Sequence, residues 1–414
     1  LSAHSDRAAA AIAALVLLAA AVLLALPGPG LVPGAGAAPP RWVLGVFGDG
    51  LGISAGPYLA LIYVAIAAWA ALCLLARALP ARAVWALIGA ALAVFVLAPP
   101  LLSLDVFSYI SYARLGVEEG LNPYESVPAD LPADEAASRV DDFRFAVSVY
   151  GPLFTLVTYP LGAAGVAFAL WALKALAGLS VLAIAALTAH LARLRGLPAA
   201  PAAAFVALNP LVLIHVVGGA HNDGLMVALA MVGIAAALTA RPLAAGAALV
   251  GSAAMKAAGA VYAPFALAGS PQRLRLAAGL VATALVLGVV TLLAFGGSAA
   301  EALGVAGDNQ ATVSRWSVPG TLSRITGLDV DPIRIAFAAL YAGAVVALLV
   351  WVVRGADWVR AAGWAALGLL VATAWMVPWY VIWVLPLAAI GRDRLLMLAA
   401  VALTVFQAIN AVPV

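Results

Sequence analysis

Asp105 opens the most chemically suggestive stretch of the chain, Leu104-Asp105-Val106-Phe107-Ser108-Tyr109. A long apolar run ends just before it. A carboxylate at the mouth of such a run, facing water, can act as a general base on a hydroxyl group. The position equally suits an N-cap for a helix starting at Val106. A second cluster is His221-Asn222-Asp223, with His215 about two helical turns upstream. Asn222 or Asp223 can cap the following helix. The three side chains together also offer hydrogen bonds to sugar hydroxyls. His and carboxylates ligate Zn or Mn, but no second His stands at ligand spacing on the same turn, so neither a metal nor another cofactor is indicated.

Two cations complete the set. Lys256 sits in an apolar stretch, where an ionisable group is costly and marks a cavity or pathway. There it can neutralise a lipid phosphate, or it can snorkel to the interface. Lys174 reads as a snorkelling lysine. Arg315 begins Arg315-Trp316-Ser317-Val318-Pro319-Gly320 and suits bidentate phosphate binding. Trp316 offers a face to a sugar ring or an interfacial anchor. Trp379-Tyr380-Val381-Ile382-Trp383, after Pro378, reads mainly as an aromatic belt, with Tyr380 also available to a sugar. Tyr150-Gly151-Pro152 is a turn leading into the next apolar run. A carboxylate, polar groups, cations and aromatics at one membrane face suit a reaction between a phosphate-bearing lipid and a sugar.

The elements that must position these residues are membrane helices. The chain has 414 residues, 66% hydrophobic and 9% charged. A soluble domain carries roughly 25% charged residues, so a water-soluble fold is excluded. Nothing indicates a nucleic-acid partner. The single cysteine, Cys73, excludes an intramolecular disulfide. Apolar runs follow one another from Ala8–Leu26 to Leu395–Val412, and the first is long enough for a retained helix rather than a removed leader. Two pairs are short: Leu243–Met255 with Gly259–Ala268, and Ala361–Trp375 with Val381–Ile390, which meet at Pro378. Short runs of this kind fit broken or re-entrant helices. The expectation is an all-α integral membrane protein with about 11–13 membrane helices forming one polytopic domain over residues 1–414.

Basic residues set the orientation. With the N-terminus in the cytoplasm, Arg7, Arg77, Arg82, Arg193, Arg195, Arg241, Arg273, Arg275, Arg354, Arg360, Arg392 and Arg394 fall on one side. This requires 151–165 to dip in without crossing. Only Asp6, Asp357 and Asp393 then lie inside; the other acids, from Asp49 to Asp331, lie outside. Two outer loops are long, 103–150 and 296–332, and long ordered loops are usually functional. The first holds two candidate amphipathic helices, one with the stripe Val106, Ile110, Ala113 and Val117, the other with Val140, Phe143 and Val147. Both are expected to lie on the outer leaflet and roof a cavity.

The motifs Asp105-Val106-Phe107-Ser108-Tyr109, Gly120-Leu121-Asn122-Pro123-Tyr124, Tyr150-Gly151-Pro152, His221-Asn222-Asp223-Gly224-Leu225-Met226, the Lys256 region and Trp379 to Pro386 occur in an order that resembles one family. It is the actinobacterial polyprenol-phosphomannose-dependent alpha-1,6-mannosyltransferases, members of the GT-C superfamily. The resemblance spans about Asp105 to Pro386. It implies a GT-C-like bundle, a polyprenyl-phosphate mannose donor, a lipid-linked mannan acceptor and inverting transfer at the periplasmic face of the plasma membrane. It makes Asp105 the base. Lys256 and Arg315 become donor-phosphate ligands. Tyr109, Tyr124, Tyr150, His221, Asn222, Asp223, Trp316 and Tyr380 become sugar or acceptor ligands. Other readings remain open: arabinosyl, glucosyl or protein mannosyl transfer from the same carrier, or a secondary transporter or lipid flippase. A transporter accounts poorly for the long acidic loop and for polar residues gathered at one end rather than at the midplane.

Overall fold

The computed structural model describes residues 3–32, 51–300 and 312–412. Asp49 and the 301–311 part of the second outer loop lie outside the described residues. Within them the regular elements are helices, and the one isolated bridge joins Pro27 to Ile53. The chain is an all-α integral membrane protein. Among the described residues five helices are long and apolar enough to cross a bilayer: His4–Leu24, Ala55–Ala78, Val166–Leu194, Arg273–Phe295 and Val330–Val353. Seven shorter apolar helices have 10–17 residues. The number of crossings therefore depends on how the short helices pair.

Helix α1 (Ala3–Leu24) packs on α2 (Ala55–Leu75), where the Tyr58 hydroxyl donates to the Leu24 carbonyl at 2.8 Å. Next come α3 (Ala81–Leu97) and α4 (Asp105–Glu118), then α5 (Pro152–Gly162) and the central α6 (Val166–Leu194). The 11 residues of α5 rise only about 17 Å, well short of a hydrocarbon core of about 30 Å. Helices α7 (Ala199–Ala207), α8 (Asp223–Leu238), α9 (Pro242–Met255) and α10 (Ala263–Gly269) follow. Beyond them lie α11 (Arg273–Phe295), α12 (Val318–Thr326), α13 (Val330–Val353), α14 (Trp358–Ala372), α15 (Leu385–Ile390) and α16 (Arg394–Gln407). α11 and α13 are peripheral: only 11% and 6% of their best apolar windows are buried. Side chains such as Val281, Leu285, Leu293, Ile335 and Leu340 are exposed, which in a membrane protein means exposed to lipid.

Three helices break where polar residues are needed. After α7, Asn209 accepts from the Leu211 and Val212 amides, and the chain turns by 66° into a π-helical segment, Val212–Gly218. Such wide turns recur at functional sites. α9 stops at Lys256, whose φ of −160° and ψ of 129° are extended. α14 ends at Ala372, and 3₁₀ turns from Pro378–Trp383 lead into α15. Unwound backbone at membrane depth is tolerated only against protein or a water-filled cavity; the π-helical segment is buried in protein, whereas Lys256 and the turns after Pro378 line a cavity.

The first outer loop departs from expectation in its second half. Helix α4 exists, but Val106, Ile110 and Ala113 are fully buried against α5 and α6; only Val117 is exposed. It is a wall of the core rather than a helix lying flat. Around Val140, Phe143 and Val147 there is no amphipathic helix, only 3₁₀ turns Ala137–Arg139 and Asp142–Phe145. Eight residues rich in β-branched and aromatic side chains cannot offset the cost of helix nucleation.

Basic loops assigned to one side do meet. Arg195 pairs with Asp357 and donates to the Ile390 carbonyl, and Arg392 donates to the Arg195 carbonyl. Arg360 pairs with Asp393 at 2.6 Å. At the other end Asn122 donates to Phe295 O and Ser298 Oγ, both at 2.8 Å, tying the two outer loops together. Lys174 does not snorkel. It is fully buried, with its ammonium donating to Gly218 O at 2.7 Å and to Pro99 O at 3.4 Å. Carbonyls at the end of the π-helical segment give it a local anchor that the sequence does not advertise.

Candidate active site

The breaks at Lys256 and after Pro378, together with the start of α4, converge on a cavity of about 820 Å³. Asp105, Ser108 and Tyr112 line it from α4, Tyr150 from the end of the first loop, and Lys256 from the broken end of α9. Arg334, Ile335, Ala338 and Tyr341 line it from α13, and Trp379, Tyr380 and Trp383 from the 3₁₀ turns. The volume lies in the range of small-molecule sites, about 300–1,000 Å³.

Asp105 is the first residue of α4, and no side chain caps that helix. Instead the Asp105 amide donates to Ser103 Oγ at 3.2 Å. The carboxylate is thus not consumed as a cap, and 26% of its side chain stays accessible. It sits at the N-terminus of α4. Its Oδ2 is 3.5 Å from Nε2 of His221. The backbone just upstream is strained, since Leu102 has φ 58°. A non-glycine residue in that region costs of order 1–3 kcal/mol and clusters at functional sites.

Asp223 does not cap α8 either. Its fully buried carboxylate takes both oxygens' worth of Lys256, at 2.9 and 2.8 Å, and accepts from the Trp383 indole at 2.6 Å. Lys256 also lies over the Tyr380 ring at 4.6 Å and the Trp383 ring at 5.6 Å. Tyr380 and Trp383 stack on each other at 4.1 Å. The aromatic belt expected after Pro378 is therefore a cavity wall built around a cation. Asn222 is the N-cap residue, yet its side-chain amide makes no cap bond and no other protein hydrogen bond, although it is 2% exposed. A buried amide with both atoms unpartnered is costly unless a water or ligand atom reaches it.

The tyrosines form a packed second layer. Tyr109 meets Tyr150 and Phe154 edge-on, each at 4.7 Å, and its hydroxyl accepts from the Asn222 backbone N–H at 3.4 Å. Tyr112 donates to Ala146 O at 2.7 Å. Burial, aided by the Asp105 carboxylate, holds the Tyr112 phenol well above its ordinary value, so it remains a donor. Tyr124 is buried against Phe295 and hydrogen-bonded to Tyr150 O and Thr155, away from the cavity; burial pushes its phenol up to about 12.

Of the residues singled out in the sequence, Asp105, Tyr150, Lys256 and Tyr380 line the cavity. Tyr109, His221, Asn222 and Asp223 lie buried directly behind that lining. Tyr124 supports the loop, and Arg315 and Trp316 stand apart from the cavity. Arg315 is exposed, and with Arg324 it packs on the Trp316 ring, at 5.6 and 4.2 Å. The arginine that does line the cavity is Arg334, paired with the exposed Asp331 at 2.9 Å. A signal for it existed in Asp331-Pro332-Ile333-Arg334-Ile335, a guanidinium just inside an apolar run. Ser103, Tyr112 and Trp379 were also missed; each depends on folding partners distant in sequence. Among the described residues no three His, Cys, Asp or Glu side chains come together as a metal site.

Comparison with known proteins gives a consistent picture. The family model described as alpha-(1->6)-mannopyranosyltransferase, N-terminal domain, matches residues 8–270. Alpha-(1->6)-mannopyranosyltransferase A of Mycobacterium tuberculosis is 30% identical over 157 residues, which cover 37% of this chain and 30% of the relative. Its namesake from Corynebacterium glutamicum is 27% identical over 174 residues, covering 41% of this chain and 35% of the relative. The matched segments thus span only about a third of those relatives' length. No solved structure matches.

Proposed function

Because the chain belongs to the alpha-(1->6)-mannopyranosyltransferase family, we propose that it moves mannose from polyprenyl-phosphate mannose to a hydroxyl of a lipid-linked mannan, with inversion, at the periplasmic face of the plasma membrane. The observation that carries this reading is Asp105: an accessible carboxylate at a helix start, in a cavity also lined by Lys256, Arg334 and the aromatic side chains Trp379, Tyr380 and Trp383.

The donor's isoprenoid chain reaches the cavity sideways from the bilayer, along the lipid-exposed face of α13, where Ile335, Ala338 and Tyr341 form an apolar edge. Its phosphate meets Arg334, the cation at that edge. Its ion pair with the mostly exposed Asp331 is of the surface kind that contributes little to stability. Lys256 cannot leave the buried Asp223 so cheaply. It contributes charge and its remaining N–H to the same region. Both stabilise the negative charge that develops on the leaving phosphate. Tyr380 and Trp379 offer faces to the sugars. Asp105 draws the proton from the acceptor hydroxyl as that oxygen attacks the anomeric carbon. One base and no covalent intermediate suffice for inversion. Arg315 has no part in this scheme.

The test is incubation of the purified chain in lipid with defined polyprenyl-phosphate sugars or a nucleotide-activated mannose, plus a mannosylated lipid acceptor, with and without chelator. Mass analysis of the lipids is expected to show a hexose gained by the acceptor and free polyprenyl phosphate from the mannose carrier alone. Product from the nucleotide sugar only, or movement of intact donor across the bilayer without cleavage, refutes the reading.

A further inference from the structure

We propose that His221 is the second proton station of this site, taking from Asp105 the proton that Asp105 draws from the acceptor hydroxyl. The inference rests on the reading of Asp105 as base and adds a role for a side chain that does not face the cavity.

The imidazole's two nitrogens have different partners. Nδ1 is 2.7 Å from the His215 carbonyl oxygen, which can only accept, so Nδ1 carries the hydrogen. In the neutral ring Nε2 is then a bare lone pair. It faces Ser103 Oγ at 3.0 Å and Asp105 Oδ2 at 3.5 Å. The Ser103 hydroxyl can donate to a bare Nε2 or accept from a protonated one, so both states of the ring are satisfied. A proton on Asp105 Oδ2 has a ring base within one short movement.

The ring is also held in place. It stacks on Trp379 with centroids 3.7 Å apart, and its side chain is wholly inaccessible. Below it is Gly219: a Cβ there would lie 2.8 Å from both Cε1 and Nδ1 and 2.6 Å from the His215 oxygen. Only glycine leaves room for this ring-to-carbonyl bond. Ala220, the residue before His221, has φ 57°. A left-handed non-glycine residue also lies three positions before Asp105, Leu102 with φ 58°. Charged groups around the ring are Asp105 from α4, Asp223 from α8 and Lys256 beyond α9, with His215 the neighbouring titratable group.

The proton balance is complete. The acceptor oxygen bonds to the anomeric carbon, and the carbon–phosphate oxygen bond breaks with its electron pair left on the phosphate. The acceptor proton passes to Asp105 Oδ2 and then to His221 Nε2. The imidazolium is held between the His215 carbonyl and the restored Asp105 carboxylate, and as products leave its proton returns through the accessible Asp105 to water in the cavity. Removing the proton from Asp105 denies the new glycosidic bond an adjacent acid that could cleave it.

His221→Ala opens a ring-sized space beside Trp379, reachable by small bases from the cavity. The expected result is a fall in kcat of about 10²-fold at unchanged donor KM. Added imidazole restores rate, and more basic substituted imidazoles restore more. Absence of rescue, or rescue indifferent to basicity, overturns the proposal. Should His221→Ala not fold, Gly219→Ala keeps the imidazole but displaces it. It is expected to lower kcat and alter the acid limb of the pH–rate profile, and a wild-type kcat and profile there overturn the proposal. Asp105→Asn runs alongside. If it retains full activity the base assignment itself fails, whereas an inactive Asp105→Asn with unaffected His221 and Gly219 variants removes the relay alone.

Discussion

Replacing Lys256 by methionine should cost more stability than replacing its partner Asp223 by asparagine. The reason lies in which charge is stranded. Asp223 is fully buried, with Lys256 on both oxygens and the Trp383 indole on one of them. In Lys256→Met the carboxylate keeps only that indole. Breaking a buried pair from one side costs about 3–5 kcal/mol, and the 22% exposure of Lys256 places the loss near the lower end, about 3 kcal/mol. In Asp223→Asn the ammonium keeps water on one side and the Tyr380 and Trp383 faces on the other, and asparagine still accepts from the indole. That loss is about 1–2 kcal/mol. The double variant has no stranded charge and should sit above Lys256→Met. The assay is a double-mutant cycle by thermal and denaturant unfolding of the detergent-solubilised protein. A Lys256→Met cost below about 1 kcal/mol, or strict additivity of the two changes, refutes the reasoning.

Arg334→Ala should raise the donor KM about tenfold or more, as loss of a charged hydrogen bond of roughly 1.5–3 kcal/mol requires, whereas Arg315→Ala leaves it unchanged; donor titrations of both variants decide this. Gly151→Ala should destabilise the protein by about 1–3 kcal/mol, because a Cβ there would meet Ala254 O at 2.1 Å; a wild-type melting temperature contradicts it. Asp393 carries a pH signature. Burial raises its carboxyl, but the Trp364 indole, the Leu396 amide and Arg360 outweigh this and hold it below the usual range. Its contribution is therefore full above the unfolded value of about 4 and is lost as pH falls through the folded one. Acidification from pH 5 to 3 should lower the melting temperature of wild type more than that of Asp393→Asn.

The class of the fold was legible because lipid imposes it: apolar runs with few charges have to be helices. The breaks at Lys256 and Pro378 were legible too, since each apolar run there is too short to span. Asp105 stood out as an acid at the end of such a run. What the sequence hid were partners distant along the chain. Lys256 reads as a free cation until Asp223, 33 residues away, is brought onto it. The cap readings of Asp105 and Asp223 were locally sound, but Lys256 and Trp383 claim the Asp223 carboxylate, and the Asp105 carboxylate caps nothing and stays accessible. Arg315 looked like the phosphate ligand because it sits beside Trp316 in a polar loop, yet that pairing is internal to the loop. Arg334 is hidden by the ordinary look of a charged residue near a helix start. The turn at Val140–Val147 shows the limit of a periodic stripe over eight residues, where spacing alone does not form a helix.

Asp105→Asn keeps shape and removes only the base. Its carboxylate makes no short structural bond, so the variant should fold and bind donor like wild type. Its release of polyprenyl phosphate from polyprenyl-phosphate mannose in the presence of acceptor, followed by mass analysis, should fall by about 10²–10⁴-fold. Release at near wild-type rate by a well-folded Asp105→Asn protein would contradict the central claim.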